Sequence, residues 1–444
     1  MNEKKLFLFV YLAAASGYTN ASFGVAYLAP IIRKHAYDVA VISITYDMGE
    51  DDFIDKISKL NPSIIGFSAT APQFRYLKKY SLLLKPFKQI LQICGGALAT
   101  LDPYTVLRET QVNGVVVGEG EKPIDQLLHN IENDKSILET EGFYWNVNGT
   151  VKTNTIPAFI SDISQLDFPD LSIFEDWMVC NCNNELEVML SRGCPYECNY
   201  CSNKAFKSIY PSVNGYFRTP SVEYAIELLE RLLHRHSKNT KNIAFVDDLL
   251  IANKRWFADF AREYSKRIKL PYRLNVKPES ITKEIAEILK ESGCYLTLIG
   301  LESGNEQLRK NLLNRMYSNE LFYEKCKIIK DAGLLLFTFN IVGWPFETLE
   351  NMNETLEMNK KIKADTGVCT FFYPFKGTEL YKLCERENLL VEEYAKTNFN
   401  TEANIKLTNV SEHECKDMQQ KIMSFLTDGK STEDFNFSNE CLCG

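Results

Sequence analysis

The feature that most constrains this 444-residue chain is a triplet of closely spaced cysteines near its middle. Cys194, Cys198 and Cys201 follow the short apolar run 188–190. Three thiolates on one tight loop, spaced Cys-x3-Cys-x2-Cys, can hold three irons of a 4Fe–4S cluster. The fourth iron then has no protein ligand and is free to take a small molecule. The triplet therefore predicts a reactive metal centre.

Two other interpretations of the triplet are a zinc site and cysteines that only pack. A structural zinc site normally has four ligands, often including histidine, and no histidine lies near this loop. Cysteines that act as small apolar residues are not expected in a loop rich in Gly, Pro, Asn and charge. With Tyr200 directly before the third cysteine, the triplet resembles the signature of the radical S-adenosylmethionine (radical SAM) superfamily.

Composition excludes several other classes of protein. The formal charge is −8, with Lys and Arg scattered, so the chain lacks the basic footprint of a nucleic-acid-binding protein. The apolar run 6–15 could belong to a signal peptide, but it also fits a buried first strand followed by a loop. No run reaches the ~18 apolar residues of a membrane span. Thirteen cysteines without an export signal predict a soluble protein of a reducing cytoplasm.

Residues 1–132 alternate between apolar strands and amphipathic helices. Five strands and five helices predict an α/β fold with an open, mostly parallel, doubly wound sheet. Ligands of such sheets bind at the carboxyl ends of the strands. The third to fifth strands end in small or flexible residues: Ser68, Thr70, Gly95, Gly96, Ala97, Gly118, Glu119 and Gly120.

In their order and spacing, these strand ends resemble the cobalamin (vitamin B12)-binding domain that precedes many radical SAM domains. The resemblance implies that the Gly-Gly and Gly-Glu-Gly-Glu loops surround the nucleotide tail of cobalamin. Two departures are a first loop without Asp-x-His-x-x-Gly, and Leu98 where the family often has histidine. The first argues against histidine as the lower cobalt ligand. A vestigial domain that binds nothing is the alternative.

Residues 133–186 form a predicted connector. Asn148-Gly149 is a two-residue turn signal inside a hairpin over 143–151. Cys180 and Cys182 lie near its end, and the sequence leaves open whether they bind a second metal.

Residues 187–375 alternate again, with six predicted strands that imply a partial (β/α)6 barrel. Catalysis is expected at the carboxyl ends of the strands, as in closed α/β barrels. The resemblance implies that these ends bind S-adenosylmethionine. One or two positions near the end of each of the six strands would take part: Tyr200, Asp247, Asp248, Lys277, Glu302, Ser303, Gly343, Pro345 and Phe372. In the fifth segment Phe346 replaces a glycine of the family pattern.

Two further regions contain cysteines without an assigned partner. Cys369 lies within the sixth barrel strand, where alternate side chains point inward, so its thiol is a candidate hydrogen-atom donor; a packed core residue is the alternative. Residues 376–444 are a predicted C-terminal cap or tail that ends with Cys441 and Cys443, whose role the sequence leaves open.

The resemblance implies an anaerobic radical enzyme with a 4Fe–4S cluster, S-adenosylmethionine and cobalamin. It would cleave S-adenosylmethionine reductively to a 5′-deoxyadenosyl radical and methylate an unactivated carbon. The first alternative is a peptide epimerase or other non-methylating enzyme that returns hydrogen from Cys369. The second is an iron–sulfur or cobalamin sensor.

The expected partners follow from the same class. A ferredoxin or flavodoxin-type reductant would supply electrons, and the substrate would be a peptide or a small-molecule natural product. Neither nucleic acid nor a membrane is an expected partner. Substrate identity and oligomeric state are not encoded in motifs of this kind.

Overall fold

The two alternating regions of the chain form two separate sheets. The computed structural model describes residues 5–13, 21–45, 48–180, 184–236, 240–391 and 401–427. One sheet comes from the first third of the chain and the other from its middle. The fold is α/β, with an N-terminal doubly wound sheet followed by a partial barrel, as the alternation predicts.

The first sheet contains seven strands: β1 Lys5–Tyr11, β2 Tyr37–Ser43, β3 Ile64–Ser68, β4 Leu91–Gly95, β5 Gly114–Val116, β6 Phe143–Val147 and β7 Thr150–Thr153. Within the described ranges, six helices accompany them: α1 Phe23–Lys34, α2 Glu50–Leu60, α3 Phe74–Leu83, α4 Ala97–Leu101, α5 Pro103–Glu109 and α6 Glu121–Glu132. The parallel strands have the order β2-β1-β3-β4-β5. This flavodoxin-like order puts the ligand crevice at the switch point between β1 and β3.

The hairpin β6–β7 turns at Asn148 and Gly149. Both residues have positive φ, 51° and 85°, as a type I′ turn requires. Strand β6 also pairs antiparallel with β5, and a Cβ on Gly114 would lie 2.5 Å from the Trp145 ring. The hairpin is therefore part of the first sheet and not of a separate connector, whereas the domain limits at 132 and 186 stay a prediction.

The second sheet contains six strands: β8 Glu185–Val188, β9 Asn242–Phe245, β10 Tyr272–Val276, β11 Cys294–Glu302, β12 Leu335–Val342 and β13 Thr366–Phe371. The described residues from 176 onward contain ten helices: α7 Asp176–Val179, α8 Ser202–Ser208, α9 Val222–His236, α10 Lys254–Arg267, α11 Lys283–Glu291, α12 Glu306–Asn311, α13 Asn319–Asp331, α14 Leu349–Ile362, α15 Glu379–Arg386 and α16 Glu412–Thr427. The six strands are parallel and lie in chain order, with β8 and β13 at the edges. The sheet is thus an open partial barrel.

The barrel sheet has different cores on its two faces. Leu296, Leu298 and Phe337 form a small cluster on the inner face. A much larger cluster on the outer face packs the surrounding helices and continues onto one face of the first sheet, including Phe7 and Phe9. This continuous apolar core joins the two sheets and sets the separation between their ligand-binding ends.

Helix α16 covers the edge strand β13. Cys369 N donates a hydrogen bond to Met423 Sδ (3.0 Å), and Gln419 Nε2 donates to Cys369 O (2.8 Å). Side chains of α16 therefore satisfy backbone groups that an edge strand otherwise leaves unpaired. Cys182, Cys441 and Cys443 lie outside the described residues. Across the described ranges, no helix is both long and apolar enough to cross a membrane.

Candidate active site

The loop that carries the cysteine triplet runs from β8 to α8, and Asp247 holds its start. Asp247 Oδ1 accepts hydrogen bonds from the N–H groups of Leu190 (3.0 Å) and Ser191 and from the Ser191 hydroxyl (2.5 Å). Burial raises the pKa of Asp247 to about 7, although these bonds oppose the shift. Asp247 is not among the residues that line the neighbouring cavity. Asp247 therefore positions the loop, and its predicted contact with S-adenosylmethionine stays a prediction.

A cavity of about 230 Å³ lies against this loop, and all three cysteines line it. Charged residues at the ends of β9, β10 and β11 also line it: Asp248, Lys277 and Glu302. Tyr200, predicted from the signature, lines the cavity as well. The fold therefore brings the cysteines together with these four predicted residues.

The donor set of this cavity fits an iron–sulfur cluster with one open iron. Burial raises the pKa of Cys194 and raises that of Cys201 to about 12, so thiolates here need a nearby positive charge. Bound metal supplies that charge and deprotonates its thiol ligands. Among the described lining residues there is no fourth cysteine and no histidine. Cys194, Cys198 and Cys201 would hold the cluster.

Glu302 lies in a buried polar network beside the cysteines. Its backbone has φ 64°, and its Oε1 accepts from the Tyr200 hydroxyl (3.0 Å) and from Arg315 Nη1 (2.9 Å). Arg315 also donates to Gly300 O (2.7 Å). Burial raises the pKa of Glu302 although Arg315 and Tyr200 oppose the shift. The sequence analysis missed Arg315, which reaches the cavity from the loop after α12 and belongs to no recognised motif.

Asp248 and Lys277 offer opposite charges to a ligand. Burial raises the pKa of Asp248, and a hydrogen bond with Asn203 opposes the shift. Lys277 Nζ lies 3.1 Å from Glu279 Oε1 and 3.5 Å from the ring centroid of Tyr196. In the sequence, Tyr196 lies between the first two cysteines of the triplet. A carboxylate and an ammonium group in one cavity can pair with the amino and carboxylate groups of an amino-acid ligand.

Four other predicted contacts do not line the cavity: Ser303, Gly343, Pro345 and Phe372. The Ser303 hydroxyl accepts from Asn305 N (3.2 Å) in the turn before α12. The Phe372 ring lies 4.9 Å from that of Trp344, which contacts Tyr200 at 5.2 Å. Ser303 and Phe372 therefore shape the turns and packing behind the cavity wall.

Cys369 faces away from the barrel interior. It belongs to the outer core with Cys415 and Ile422 of α16, whereas its neighbour Val368 packs against the inner cluster. Burial raises the pKa of Cys369 well above its ordinary value. The inward orientation assumed for a hydrogen-atom donor is therefore wrong, because strand alternation places Val368 and not Cys369 on the inner face.

A second cavity of about 230 Å³ lies in the first sheet. Its lining contains six of the eight residues predicted to bind cobalamin: Ser68, Gly95, Gly96, Gly118, Glu119 and Gly120. Thr70 and Ala97 are not among the lining residues: Thr70 N donates to Gln73 Oε1 (2.7 Å) in a short turn, and Ala97 begins α4. The loops after β3, β4 and β5 thus meet in one site, as the resemblance implies.

Two of the loops that line this second cavity require glycine. A Cβ on Gly96 (φ 90°) would lie 2.9 Å from Ala69 O, and one on Gly118 (φ 93°) would lie 2.8 Å from the Tyr210 hydroxyl. The cavity is smaller than the roughly 300–1,000 Å³ of pockets that enclose whole ligands. Its size and bare backbone fit the tail of cobalamin, with the corrin ring outside. Ser68 and the three loops would hold that tail.

Glu119 has partners within the protein. Its carboxylate pairs with Arg218 (2.7 Å) and Arg192 (3.4 Å) and accepts from Ile160 N (2.9 Å). Arg192 and Met189, from the cysteine loop, also line the second cavity. The sequence analysis missed both residues, because they precede the cysteine triplet and belong to no cobalamin motif.

Comparisons with known proteins agree with the two cavities. The family model of the Radical SAM superfamily matches residues 188–358, and that of the B12 binding domain matches residues 10–128. An uncharacterized methyltransferase of Pyrococcus horikoshii is 26% identical over 381 residues, covering 84% of this chain and 81% of the relative. The anaerobic magnesium-protoporphyrin IX monomethyl ester cyclase of Rubrivivax gelatinosus is 24% identical over 372 residues, covering 81% and 65%.

A solved structure has the same fold. The radical S-adenosylmethionine methyltransferase TsrM from Kitasatospora setae, with cobalamin and a 4Fe-4S cluster bound, is similar with a TM-score of 0.70 and 15% identity, covering 86% of this chain and 78% of that chain. The chain therefore contains a radical SAM domain and a B12-binding domain. Its cofactors are a 4Fe–4S cluster, S-adenosylmethionine and cobalamin.

Proposed function

We propose that this enzyme is a cobalamin-dependent methyltransferase that methylates an unactivated carbon of a peptide or small-molecule natural product. The observation that carries the proposal is the shared loop: residues 189–201 line both cavities, through Met189 and Arg192 on one side and the three cysteines on the other. A substrate bound between the cavities can contact both cofactors, which radical methyl transfer requires.

The bound cofactors supply a radical from S-adenosylmethionine and a methyl group from cobalamin. The chain's own residues hold and orient them. Asp248 and Lys277 would pair with the methionine moiety. The Glu302–Arg315 pair holds Tyr200, which belongs to the cysteine loop, through hydrogen bonds to its hydroxyl. The apolar side chains Leu298 and Phe339 line the same cavity and exclude water from it.

The electron donor in this proposal is a ferredoxin or flavodoxin-type protein. An iron–sulfur cluster with an open iron needs a low-potential electron, which such proteins carry. The reducing and oxygen-poor setting that the cluster requires agrees with a cytoplasmic location and anaerobic chemistry.

The proposal is tested with anaerobically purified protein reconstituted with iron, sulfide and hydroxocobalamin. We expect stoichiometric cobalt beside the cluster absorbance. With a reductant and methyl-deuterated S-adenosylmethionine, we expect the label in the extracted corrinoid and in a methylated product. Retained cobalt without any transfer of the label would contradict the proposal. A cluster without cobalt would do so too.

The epimerase alternative requires a hydrogen donor, and the orientation of Cys369 does not provide one. We expect Cys369→Ala to leave the yield of 5′-deoxyadenosine unchanged, with no deuterium from deuterated water entering the product of the unaltered enzyme. Entry of deuterium that depends on Cys369 would restore that alternative. No described contact favours the sensor hypothesis.

A further inference from the structure

Arg192 connects the cysteine loop to the cobalamin cavity. It lies two residues before Cys194, yet its guanidinium group points toward the first sheet. Its Nη2 donates to Glu121 Oε1 (2.5 Å), its Nη1 lies 3.4 Å from Glu119 Oε1, and its charge lies 5.0 Å from the ring centroid of Tyr27. Both glutamates belong to the Gly-Glu-Gly-Glu loop after β5, so one side chain spans the two sites.

Arg218 strengthens this connection because it forms an isolated antiparallel β-bridge with Arg192. Its backbone N–H and C=O pair with those of Arg192, at 3.0 and 2.9 Å. Its Nη2 donates to Glu119 Oε1 (2.7 Å), and its Nη1 donates to Ile160 O (2.7 Å). The Glu119 carboxylate contacts the side chains of both arginines, and the backbones of these arginines are hydrogen-bonded to each other. Glu119 therefore fixes the backbone immediately before the cysteine triplet.

The other end of the triplet is tied to the same loop. Helix α8 begins directly after Cys201, and Tyr210 follows the end of that helix. Glu119 N donates to the Tyr210 hydroxyl (3.1 Å). Gly118 leaves the space that this hydroxyl occupies, because a Cβ there would lie 2.8 Å from it. Both ends of the cysteine loop thus depend on residues 118–121.

The charges in this network are buried and balanced. The side chains of Glu121 and Arg218 are only 7% and 5% exposed. Although burial opposes ionisation of Glu119, Arg192 and Arg218 outweigh it and lower its pKa. Removing one member of a buried ion pair leaves an uncompensated charge, which is strongly unfavourable. The four side chains are therefore expected to move as a unit.

We propose that Glu119, Glu121, Arg192 and Arg218 form a positioning network through which the iron–sulfur cluster and cobalamin each raise the protein's affinity for the other. A loop fixed by bound metal holds Arg192 at the wall of the cobalamin cavity. In the reverse direction, a filled cavity holds residues 118–121 and with them the start of the cysteine loop. Coupling between two sites is reciprocal by thermodynamic necessity. The inference rests on the two cofactors and not on methyl transfer.

The test measures the dissociation constant of hydroxocobalamin by anaerobic equilibrium dialysis. It is measured for the full chain with a reconstituted cluster and for the same protein after a chelator has removed the iron. We expect the cluster-free protein to bind hydroxocobalamin about fivefold more weakly or worse, the lower end of typical coupling. In Arg192→Met we expect the two constants to become equal within error.

Lys376→Met is the matched control. Lys376 Nζ lies 2.9 Å from Asp102 Oδ2, so this pair also joins the barrel to the first sheet, through a residue between α4 and α5 instead of residues 118–121. We expect this variant to keep the wild-type ratio of the two constants. Equal loss of the ratio in Lys376→Met would assign the effect to the whole interface and overturn the proposal.

Glu121→Gln covers the case in which Arg192→Met fails to fold, judged by circular dichroism. It keeps the shape of Glu121 and removes its charge, so we expect a reduced ratio. A wild-type ratio of one, or an unchanged ratio in both variants, would also overturn the proposal. These outcomes are independent of the proposed function: absence of methyl transfer leaves the ratio intact, and a ratio of one leaves methyl transfer untouched.

Discussion

The two cavities have the same size, about 230 Å³ each, but different kinds of residue line them. The cluster cavity depends on side chains: three cysteines, a carboxylate and ammonium pair, and the buried Glu302–Arg315 pair. The cobalamin cavity combines apolar side chains such as Phe9 and Ile124 with glycine loops, and the carboxylates of Glu119 and Glu121 pair with arginines. The first site requires particular polar side chains, and the second requires glycine in the loops around it.

This difference has a direct consequence for mutagenesis. Removing a side chain should damage the cluster cavity, whereas adding one should damage the cobalamin cavity. The predictions below test that contrast, and any of them can break it.

The largest expected effect is at Cys198. We expect Cys198→Ala to reduce iron and sulfide after anaerobic reconstitution to background and to abolish cleavage of S-adenosylmethionine, because two thiolates hold a cluster poorly. Iron and sulfide assays check this. Cys326→Ala, at a buried position on α13 outside the cavity, should keep full iron content. Equal loss in both variants would mean that the cluster site is not the triplet.

The second prediction concerns Arg315. Arg315→Met leaves the Glu302 carboxyl buried without its partner, so we expect a loss of about 3–5 kcal/mol in the free energy of unfolding. Urea denaturation of the anaerobic apoprotein measures it. Arg267→Met is the control, because Arg267 pairs with Glu223 and Glu230 at the surface, where ion pairs contribute little to stability, and it should cost much less. Similar losses would refute the importance of the buried pair.

The third prediction adds a side chain to the cobalamin cavity. Gly118→Ala forces a left-handed backbone at a cost of about 1–2 kcal/mol and pushes against the Tyr210 hydroxyl. We expect hydroxocobalamin to bind about tenfold more weakly. Gly215→Ala has the same kind of backbone strain (φ 71°) but no atom within 4 Å of the added Cβ. Its cobalamin affinity should match that of the unaltered protein; matching losses would assign the effect to strain alone.

The last prediction concerns the dependence of stability on pH. Burial raises the pKa of Glu347 from 4.5 to about 8, although the N–H groups of Trp344 and Gly343 oppose the shift. The folded protein then holds one more proton than the unfolded chain between these values. Its contribution to stability is therefore complete below pH 4.5 and is lost as the pH rises through 8. The slope approaches about 1.4 kcal/mol per pH unit.

We expect Glu347→Gln to remove this slope in urea denaturation of the apoprotein between about pH 5 and 8. An unchanged slope would show that Glu347 does not titrate in this range. Glu119, which lines the cobalamin cavity, has a lowered pKa. A similar slope that disappears in Glu119→Gln would therefore contradict the contrast between the two regions.

The sequence predicted much of the fold because both sheets have regular apolar strands. The sequence predicts strands over 272–276 and 335–342 and a helix over 222–236, and β10, β12 and α9 have these bounds. Short helices such as α4 and α12 were missed, since five or six residues contain too few turns for a periodic signal. The sequence predicts the first barrel strand from residue 187, whereas β8 begins at Glu185, which is buried by pairing with Arg273 (2.7 Å).

The candidate sites were predictable where a motif supplies the reacting group. The cysteine triplet and the glycine loops were found because their residue types and spacing are restricted by chemistry. Arg315 and Arg192 were missed because each acts through contacts with residues distant in sequence. Cys369 was assigned to catalysis because a sequence gives the strand but not which of its two faces a residue occupies.

Helix α16 has a consequence for handling this protein. It occupies the hydrogen-bonding edge of β13 through Met423 and Gln419. A chain shortened before residue 412 would present that edge to solvent, where it could pair with the same edge of another copy and aggregate. The smallest well-behaved fragment for expression and crystallisation should therefore extend at least to Thr427, the last residue of α16.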